Sequence, residues 1–205
     1  MTQFWSKFFS KLFSTLFSKP LNQQQRESNK HHQAYSGSDV AVAVDTGAKE
    51  IGFAQDQITH VSPQGVDLIC GFEGLELKAY DDGVGVCTIG YGTTIYPHGK
   101  AVQYGDTCTI EQAKNYMQYD LRRFEQAVTA AVNVPLNQNQ FDALVSLSYN
   151  IGIGAFKNST LLKLLNASDY HAASHQFDVW IKAGGKTVQG LVNRRAVEKT
   201  LFLKR

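Results

Sequence analysis

The sequence predicts an α+β domain that is mainly helical, with a small antiparallel hairpin sheet near its start and a long connecting helix. Two helix-capping motifs precede long stretches in which apolar residues recur at helical spacing. Ahead of them lies a segment rich in Gly, Thr, Tyr and Val, which is typical of short strands joined by tight turns. The apolar share of 43% in 205 residues suffices for a hydrophobic core.

Charge is distributed unevenly along the chain. Residues 1–30 carry five basic side chains and one acidic side chain, whereas residues 31–60 carry four acidic side chains and one basic side chain. Residues 61–205 are almost neutral, with 14 basic and 13 acidic groups, so the compact domain is expected there. The net charge of +2 gives no basic surface for nucleic acid, and a nucleic-acid partner is not expected. The sequence contains no run of about 18 apolar residues, so no ordinary transmembrane helix is predicted.

Residues 1–19 are predicted to form a cationic amphipathic helix. Apolar pairs recur every four residues, with Ser, Thr and Lys between them, and Pro20 ends the pattern. Aromatic rings on one face and lysines on the other favour binding to an anionic membrane surface. The alternative is that this face packs on the domain or on a second copy. The aromatic residues predicted to bind the membrane are Phe4, Trp5, Phe8, Phe9, Phe13 and Phe17.

A polar linker over residues 20–60 is predicted to separate this helix from the domain. Ser62 and Pro63 then form an N-cap and first-turn pair that begins a helix of about ten residues. Residues 78–105 follow and are predicted to form the hairpin sheet.

The rest of the domain is predicted to be helical. Thr109 and Gln112 form a capping box for a long helix that ends near Val132, and Asn137 with Gln140 forms a second one. Shorter helices are expected at 159–166, 169–182 and 191–203.

Two acidic residues and a threonine stand at a spacing that suits glycoside hydrolysis. Glu73 follows the first predicted helix, Asp82 lies nine residues later in a Gly-rich turn, and Thr88 follows in a predicted strand. This reaction needs one protonated carboxyl group for the leaving oxygen and one ionised carboxylate that activates water or attacks the carbon. Taken singly, each residue is equally compatible with an ordinary surface acid or strand threonine.

Sequence neighbours suggest which carboxyl group has which role. Apolar residues flank Glu73 and favour its neutral form, so Glu73 is the candidate acid. Asp82 lies beside Asp81 and two glycines, where solvent and backbone amides can keep it charged. Asp82 is therefore the candidate base or nucleophile, and Thr88 can help to hold the water.

Three segments of the chain resemble the phage-type lysozymes, the endolysins of glycoside hydrolase family 24. They read FEGLELKAYDDGVGVCTIGYGTT, NQFDALVSLSYNIGIGAFKNSTLLKLLN and GLVNRRAVEKTLF, and they cover most of residues 62–204. The resemblance implies a two-lobed lysozyme-like fold and hydrolysis of the β-1,4 bond between N-acetylmuramic acid and N-acetylglucosamine in peptidoglycan. It implies no cofactor.

The resemblance also implies roles for individual residues. Glu73 would be the general acid, Asp82 would position the water with Thr88 as its partner, and inversion would be the usual outcome. Many relatives have His where this chain has Thr93, so an ion pair of that His is not expected here. Substrate-groove positions implied by the motifs are Thr94, Tyr149, Asn150, Ser159 and Asn193.

Other features of the sequence give weaker indications. The three cysteines match no zinc pattern and are expected to be buried thiols, with a Cys87–Cys108 disulfide as the alternative. Arg194 and Arg195 are expected to support helix packing and the rim of the cleft. No metal site is predicted, since a pair of histidines four residues apart lacks further ligands.

The leading functional hypothesis is an endolysin that hydrolyses peptidoglycan and lyses bacteria, with the N-terminal helix aiding access. It would stay in the host cytoplasm until release, act on periplasmic peptidoglycan as a monomer, and contact anionic membranes through residues 1–19. The alternative is a membrane-permeabilising antibacterial protein whose lysozyme domain mainly binds the wall.

Overall fold

A computed structural model describes residues 58–83 and 85–205 of the chain. The predicted amphipathic helix of residues 1–19 and the linker up to residue 57 lie outside these described residues. The described elements are α1 (Pro63–Phe72), β1 (Glu76–Asp81), β2 (Cys87–Gly90), α2 (Ile110–Ala131), α3 (Gln138–Ile151), α4 (Ile153–Lys157), α5 (Thr160–Asn166), α6 (Tyr170–His175), a 3-10 helix (Gln176–Val179), β3 (Lys182–Ala183), β4 (Lys186–Thr187) and α7 (Gln189–Phe202).

Helix α1 begins where the sequence predicts. The Ser62 hydroxyl accepts a hydrogen bond from the Gly65 amide at 3.0 Å, and Pro63 occupies the first helical position. Ile58 packs against the main hydrophobic core, and the Val61 amide donates to the Glu125 carboxylate at 2.8 Å. Structured chain therefore extends into the last three residues of the predicted linker.

The small sheet is an antiparallel pair of strands with an irregular continuation. Tyr80 of β1 lies opposite Thr88 of β2, and the register shifts between Glu76 and Tyr80. Between β2 and α2 the chain forms only isolated bridges, such as that between Ile95 and Ala101. The predicted hairpin sheet is thus confirmed, although much of residues 78–105 is turn and loop.

Both predicted capping boxes are present. Thr109 and Gln112 exchange side chain to backbone hydrogen bonds at the start of α2, and Asn137 and Gln140 do so at the start of α3. Reciprocal bonds of this kind satisfy backbone donors that have no partner within the helix. Helix ends that depend on such local contacts can be located from the sequence.

Helix α2 connects two hydrophobic clusters. Near its start Ala113 belongs to a small cluster with Ile89 and Val102 beside the sheet. One turn later the helix enters the main core, to which it contributes Met117, Leu121, Phe124 and Val128. The predicted long connecting helix and the α+β, mainly helical fold class are confirmed.

The C-terminal part differs from the predicted helix pattern. The helix predicted over 169–182 begins where expected but is too long: α6 ends at His175, a 3-10 helix continues to Val179, and β3 begins at Lys182. Gly184 and Gly185, both at positive φ, turn β3 into β4, as a two-residue hairpin requires. Within the described residues no helix combines the length and hydropathy needed to span a membrane.

Candidate active site

Glu73 lies at the C-terminal end of α1. Its amide still donates to the Cys70 carbonyl at 3.2 Å, but its own backbone is already extended. The Arg194 Nη1 atom of α7 donates to Glu73 Oε1 at 2.9 Å, and these side chains are only 4% and 14% exposed, respectively. The apolar setting expected from the sequence is thus incomplete, because a buried guanidinium faces the carboxyl group.

Asp82 and Thr88 are joined through one residue of the turn between β1 and β2. The Val86 amide donates to Asp82 Oδ1 at 3.2 Å, and the Thr88 hydroxyl donates to the Val86 carbonyl at 3.2 Å. A further bond runs from the Asp82 amide to the Val86 carbonyl at 3.1 Å. Both side chains belong to buried residues, so the turn holds each in a defined position.

Of the solvent and backbone amides expected around Asp82, the Val86 amide is present, but the solvent exposure belongs to its neighbour Asp81. Asp81 is exposed and accepts from the amides of Gly83 at 2.6 Å and Gly85 at 3.2 Å. These bonds, together with one from the Tyr104 hydroxyl, lower the pKa of Asp81. Adjacent residues at the end of a strand point to opposite faces of the sheet, which explains why Asp81 is exposed and Asp82 is buried.

Tyr80 connects the two carboxyl groups electrostatically. Burial raises its pKa to about 12, and the negative charges of Glu76, Asp82 and Glu73 add to this effect. Its hydroxyl therefore lies in the field of both candidate catalytic carboxyl groups. Since Tyr80 is opposite Thr88 in the sheet, all three predicted catalytic residues lie around this strand pair and the end of α1.

Behind Glu73 lies a buried group of alternating charges. Arg194 Nε donates to Glu198 Oε1 at 3.0 Å, and Arg195 Nε lies 2.9 Å from Glu198 Oε2. The Ser146 hydroxyl of α3 also donates to Glu198 Oε1, at 2.6 Å. Glu198 and Arg195 are completely buried.

Both arginine pKa values reflect these neighbours. Burial opposes the charge of Arg194, but the carboxylates of Glu73 and Glu198 outweigh it and raise its pKa. Burial lowers the pKa of Arg195 to about 10. The charge of Glu198 acts to raise this pKa, and repulsion from Arg194 lowers it further. Both guanidinium groups thus remain charged at neutral pH.

The family model described as phage lysozyme matches residues 70–198, which is well over half of the chain. The chain belongs to the phage lysozyme family. Glu73, Asp82, Thr88 and Arg194 all lie within the matched range. The described residues therefore form a phage lysozyme domain. This domain is a hydrolase domain of the lysozyme type.

Relatives of this phage lysozyme include several endolysins. The endolysin of Salmonella phage P22 is 45% identical over 143 residues, which cover 70% of this chain and 97% of that protein. The endolysin of Bacillus phage PZA is 46% identical over 143 residues, or 69% of this chain, but the match spans only 54% of its length. A protein of Enterobacteria phage P21 named SAR-endolysin is 36% identical over 163 residues, covering 80% and 93%.

Solved structures agree with the phage lysozyme fold. A crystal structure of a P22 lysozyme mutant has a TM-score of 0.67 and 42% identity, covering 71% of this chain and 99% of that chain. The muramidase domain of SpmX from Asticaccaulis excentricus has a TM-score of 0.64 and 38% identity, with coverages of 71% and 99%.

Several groove positions implied for this phage lysozyme have structural partners of their own. The Ser159 hydroxyl caps α5 by accepting from the Leu162 amide at 3.1 Å. Asn150 Oδ1 accepts from Arg195 Nη2 at 2.8 Å, and Asn193 Oδ1 accepts from Gln189 Nε2 at 3.0 Å. Each of these side chains thus has a hydrogen-bond partner within the protein, and their roles in the substrate groove stay predictions.

Tyr149 and Thr94 are the remaining predicted groove positions. Tyr149 is buried, with its ring edge-on to Phe124 at a centroid distance of 5.2 Å. Burial raises its pKa well above the usual value, and the charges of Glu73 and Asp120 contribute. Thr94 is half-buried, and its carbonyl accepts from the Val102 amide at 3.0 Å.

Thr93, where the resemblance led us to expect no His ion pair, has a specific partner. Its hydroxyl donates to Asp120 Oδ2 at 2.7 Å, and Thr93 is only 2% exposed. Burial raises the pKa of Asp120 to about 6, although Thr93 and the Arg123 charge act in the opposite direction. A neutral hydroxyl is thus a side-chain donor to this carboxylate.

Glu198 and Ser146 are the contributors to the site that the sequence reasoning missed. Arg194 was expected to support helix packing and the rim of the cleft; it is 3% exposed, donates to the Ser146 carbonyl of α3, and is also bonded directly to Glu73. The spacing of Arg194 and Glu198, four residues apart on one helix, was the available signal.

In the described part of the chain no cluster of His, Cys, Asp or Glu could hold a metal ion. All three cysteines are free; Cys70 and Cys108 are buried, and Cys87 is partly buried.

Proposed function

We propose that this domain hydrolyses the β-1,4 bond between N-acetylmuramic acid and N-acetylglucosamine in peptidoglycan. The observation that carries the proposal is the arrangement of Glu73 against Arg194, with Asp82 and Thr88 held by the turn that follows β1. Support comes from relatives named endolysin and from the muramidase domain with the same fold.

In the proposed mechanism Glu73 donates its proton to the oxygen of the leaving sugar. Asp82 takes a proton from the attacking water as the water oxygen bonds to the anomeric carbon, and Thr88 helps to orient that water. An inverting reaction needs room for water between carboxyl groups roughly 6.5–9.5 Å apart, whereas a covalent intermediate needs about 5–5.5 Å. Inversion is the outcome that the family resemblance implies, so we expect release of the product with inverted anomeric configuration.

Glu73→Gln tests the assignment of the acid. Since the amide cannot donate a catalytic proton, release of reducing ends from purified peptidoglycan should fall by about 10²–10⁴-fold. Glu76→Gln is the matched control, because it changes a glutamate on adjacent β1 that has no role in the mechanism. Full activity of Glu73→Gln, with both variants folded, contradicts the proposal.

For the whole chain we propose an endolysin that lyses bacterial cells, in which residues 1–19 bind an anionic membrane and aid access to the wall. Its support is the regular Phe/Lys pattern of those residues and the endolysin relatives. It would be released from the host cytoplasm and act on periplasmic peptidoglycan.

Deleting residues 1–19 separates the roles of the two parts. Hydrolysis of purified peptidoglycan should persist, whereas lysis of intact cells and binding to anionic vesicles should fall. Loss of hydrolysis in the truncated chain would show that the segment belongs to the fold instead. Undiminished killing by full-length Glu73→Gln would favour the membrane-permeabilising alternative.

A further inference from the structure

Glu198 is a buried carboxylate close to the candidate acid, and the mechanism above gives it no role. It lies on α7 with no exposed surface, and Arg194 separates it from Glu73. One Arg194 guanidinium thus contacts two carboxyl groups, Glu73 through Nη1 at 2.9 Å and Glu198 through Nε at 3.0 Å.

Arg194 is held by contacts on several sides. Its Nη2 atom donates to the Ser146 carbonyl at 3.3 Å, and its guanidinium lies 4.7 Å from the centre of the Phe72 ring. Glu198 receives a further hydrogen bond from the Ser146 hydroxyl. Because the guanidinium is planar, fixing Nε and Nη2 also fixes where Nη1 meets Glu73.

A general acid next to an arginine faces an electrostatic conflict. The positive charge stabilises the carboxylate form of the acid, yet the reaction needs the protonated form. A second carboxylate on the same guanidinium reduces the positive field at the first. Glu198 is placed to do this, since both bonded atoms belong to the same Arg194 side chain.

We propose that Glu198 is a positioning residue for the acid: it fixes Arg194 against Glu73 and offsets part of the arginine charge that Glu73 faces. This inference rests on the proposed function, in which Glu73 is the acid. Arg195 has the opposite effect, because it pairs with Glu198 and adds a second positive charge behind Glu73.

Other ionisable groups around Glu73 are shared by every variant compared below. Tyr149 from α3, Tyr80 from β1 and Cys70 from α1 each interact electrostatically with Glu73. Burial raises the pKa of all three, to about 12 for Tyr80 and Cys70. They remain neutral near pH 7, so differences between the variants report the charges at positions 195 and 198.

The test compares two substitutions of opposite sign in the full chain. Glu198→Gln removes a negative charge, so the alkaline limb of kcat against pH should move about one unit toward acid. At neutral pH kcat should fall about tenfold with little change in KM, and the loss should disappear at lower pH. Arg195→Met removes a positive charge and should move the same limb toward higher pH.

Both substitutions break the same buried ion pair, so both should lower the unfolding temperature. A purely structural role of Glu198 therefore predicts similar losses at every pH and no opposed shifts. Glu198→Asp keeps the charge and should retain the wild-type pH profile even if the domain unfolds at lower temperature. Glu125→Gln is the matched control, because Glu125 is also a buried, paired glutamate but lies on α2.

The outcomes separate this inference from the proposed function. If Glu73→Gln is inactive while the Glu198→Gln and Arg195→Met profiles coincide with that of the wild type, only the role of Glu198 is overturned. If Glu198→Gln does not fold, an unshifted limb in Arg195→Met alone overturns it. Full activity of Glu73→Gln overturns the proposed function itself.

Discussion

Asp120 should make the domain less stable at neutral pH than at mildly acid pH. Its folded-state pKa is raised from 3.8 to about 6 by burial on α2. A raised carboxyl pKa means that the folded state binds the proton more tightly than the unfolded state. The resulting stability is fully present below about pH 4 and is lost as the pH rises through about 6.

The magnitude follows from the size of the shift. About two pKa units correspond to roughly 3 kcal/mol of free energy of unfolding between the protonated and ionised states. Asp120→Asn keeps an oxygen that can accept from the Thr93 hydroxyl but removes the charge. The variant should therefore gain up to about 3 kcal/mol relative to the wild type at pH 7 and almost nothing at pH 4.

Urea unfolding of both proteins at several values between pH 4 and pH 8 measures this difference directly. The wild type must be compared with the variant at each pH because other groups also respond to pH. Hydrogen bonds lower the pKa values of Asp81 and Asp106, so these two residues make the domain less stable as the pH falls, whereas Asp120 makes it more stable. If the difference between wild type and Asp120→Asn is the same at every pH, the buried-charge explanation is refuted.

Thr93→Val provides an independent check of the same contact. The hydroxyl bond at 2.7 Å stabilises the ionised form of Asp120 and lowers its pKa. Its removal should move the midpoint of the pH-dependent stability difference to higher pH. A midpoint that moves toward acid would contradict the assigned role of Thr93.

The remaining predictions concern stability of the packing and of one helix end. Gly65→Ala should destabilise the domain by roughly 1–3 kcal/mol in thermal unfolding, because the new Cβ would lie 2.6 Å from Asp142 Cγ and 2.6 Å from Val61 Cγ1; a neutral result would show that these side chains move aside easily. Thr109→Ala should cost about 1 kcal/mol, since it removes the bond to the Gln112 amide, and an unchanged unfolding temperature would mean that the capping box at α2 contributes nothing.

Local contacts explain which elements the sequence predicts well. The capping boxes at Thr109 and Asn137 join residues three positions apart, so the residues that set each helix start are visible in one short window. The helix predicted over 169–182 ends early, at Val179, because the apolar spacing did not reveal that the chain enters the β3–β4 hairpin, which turns at Gly184 and Gly185. That glycine pair was the usable signal for the hairpin.

The sequence by itself determined the fold class, both capped helices, and the spacing of Glu73, Asp82 and Thr88. These features depend on periodicity, local hydrogen bonds and short motifs. Only the tertiary structure decided the electrostatic setting of the acid, since Arg194 lies 121 residues from Glu73 along the chain. A buried charge takes whichever partner the packing of α7 against α3 brings within reach, and local sequence carries no record of that pairing.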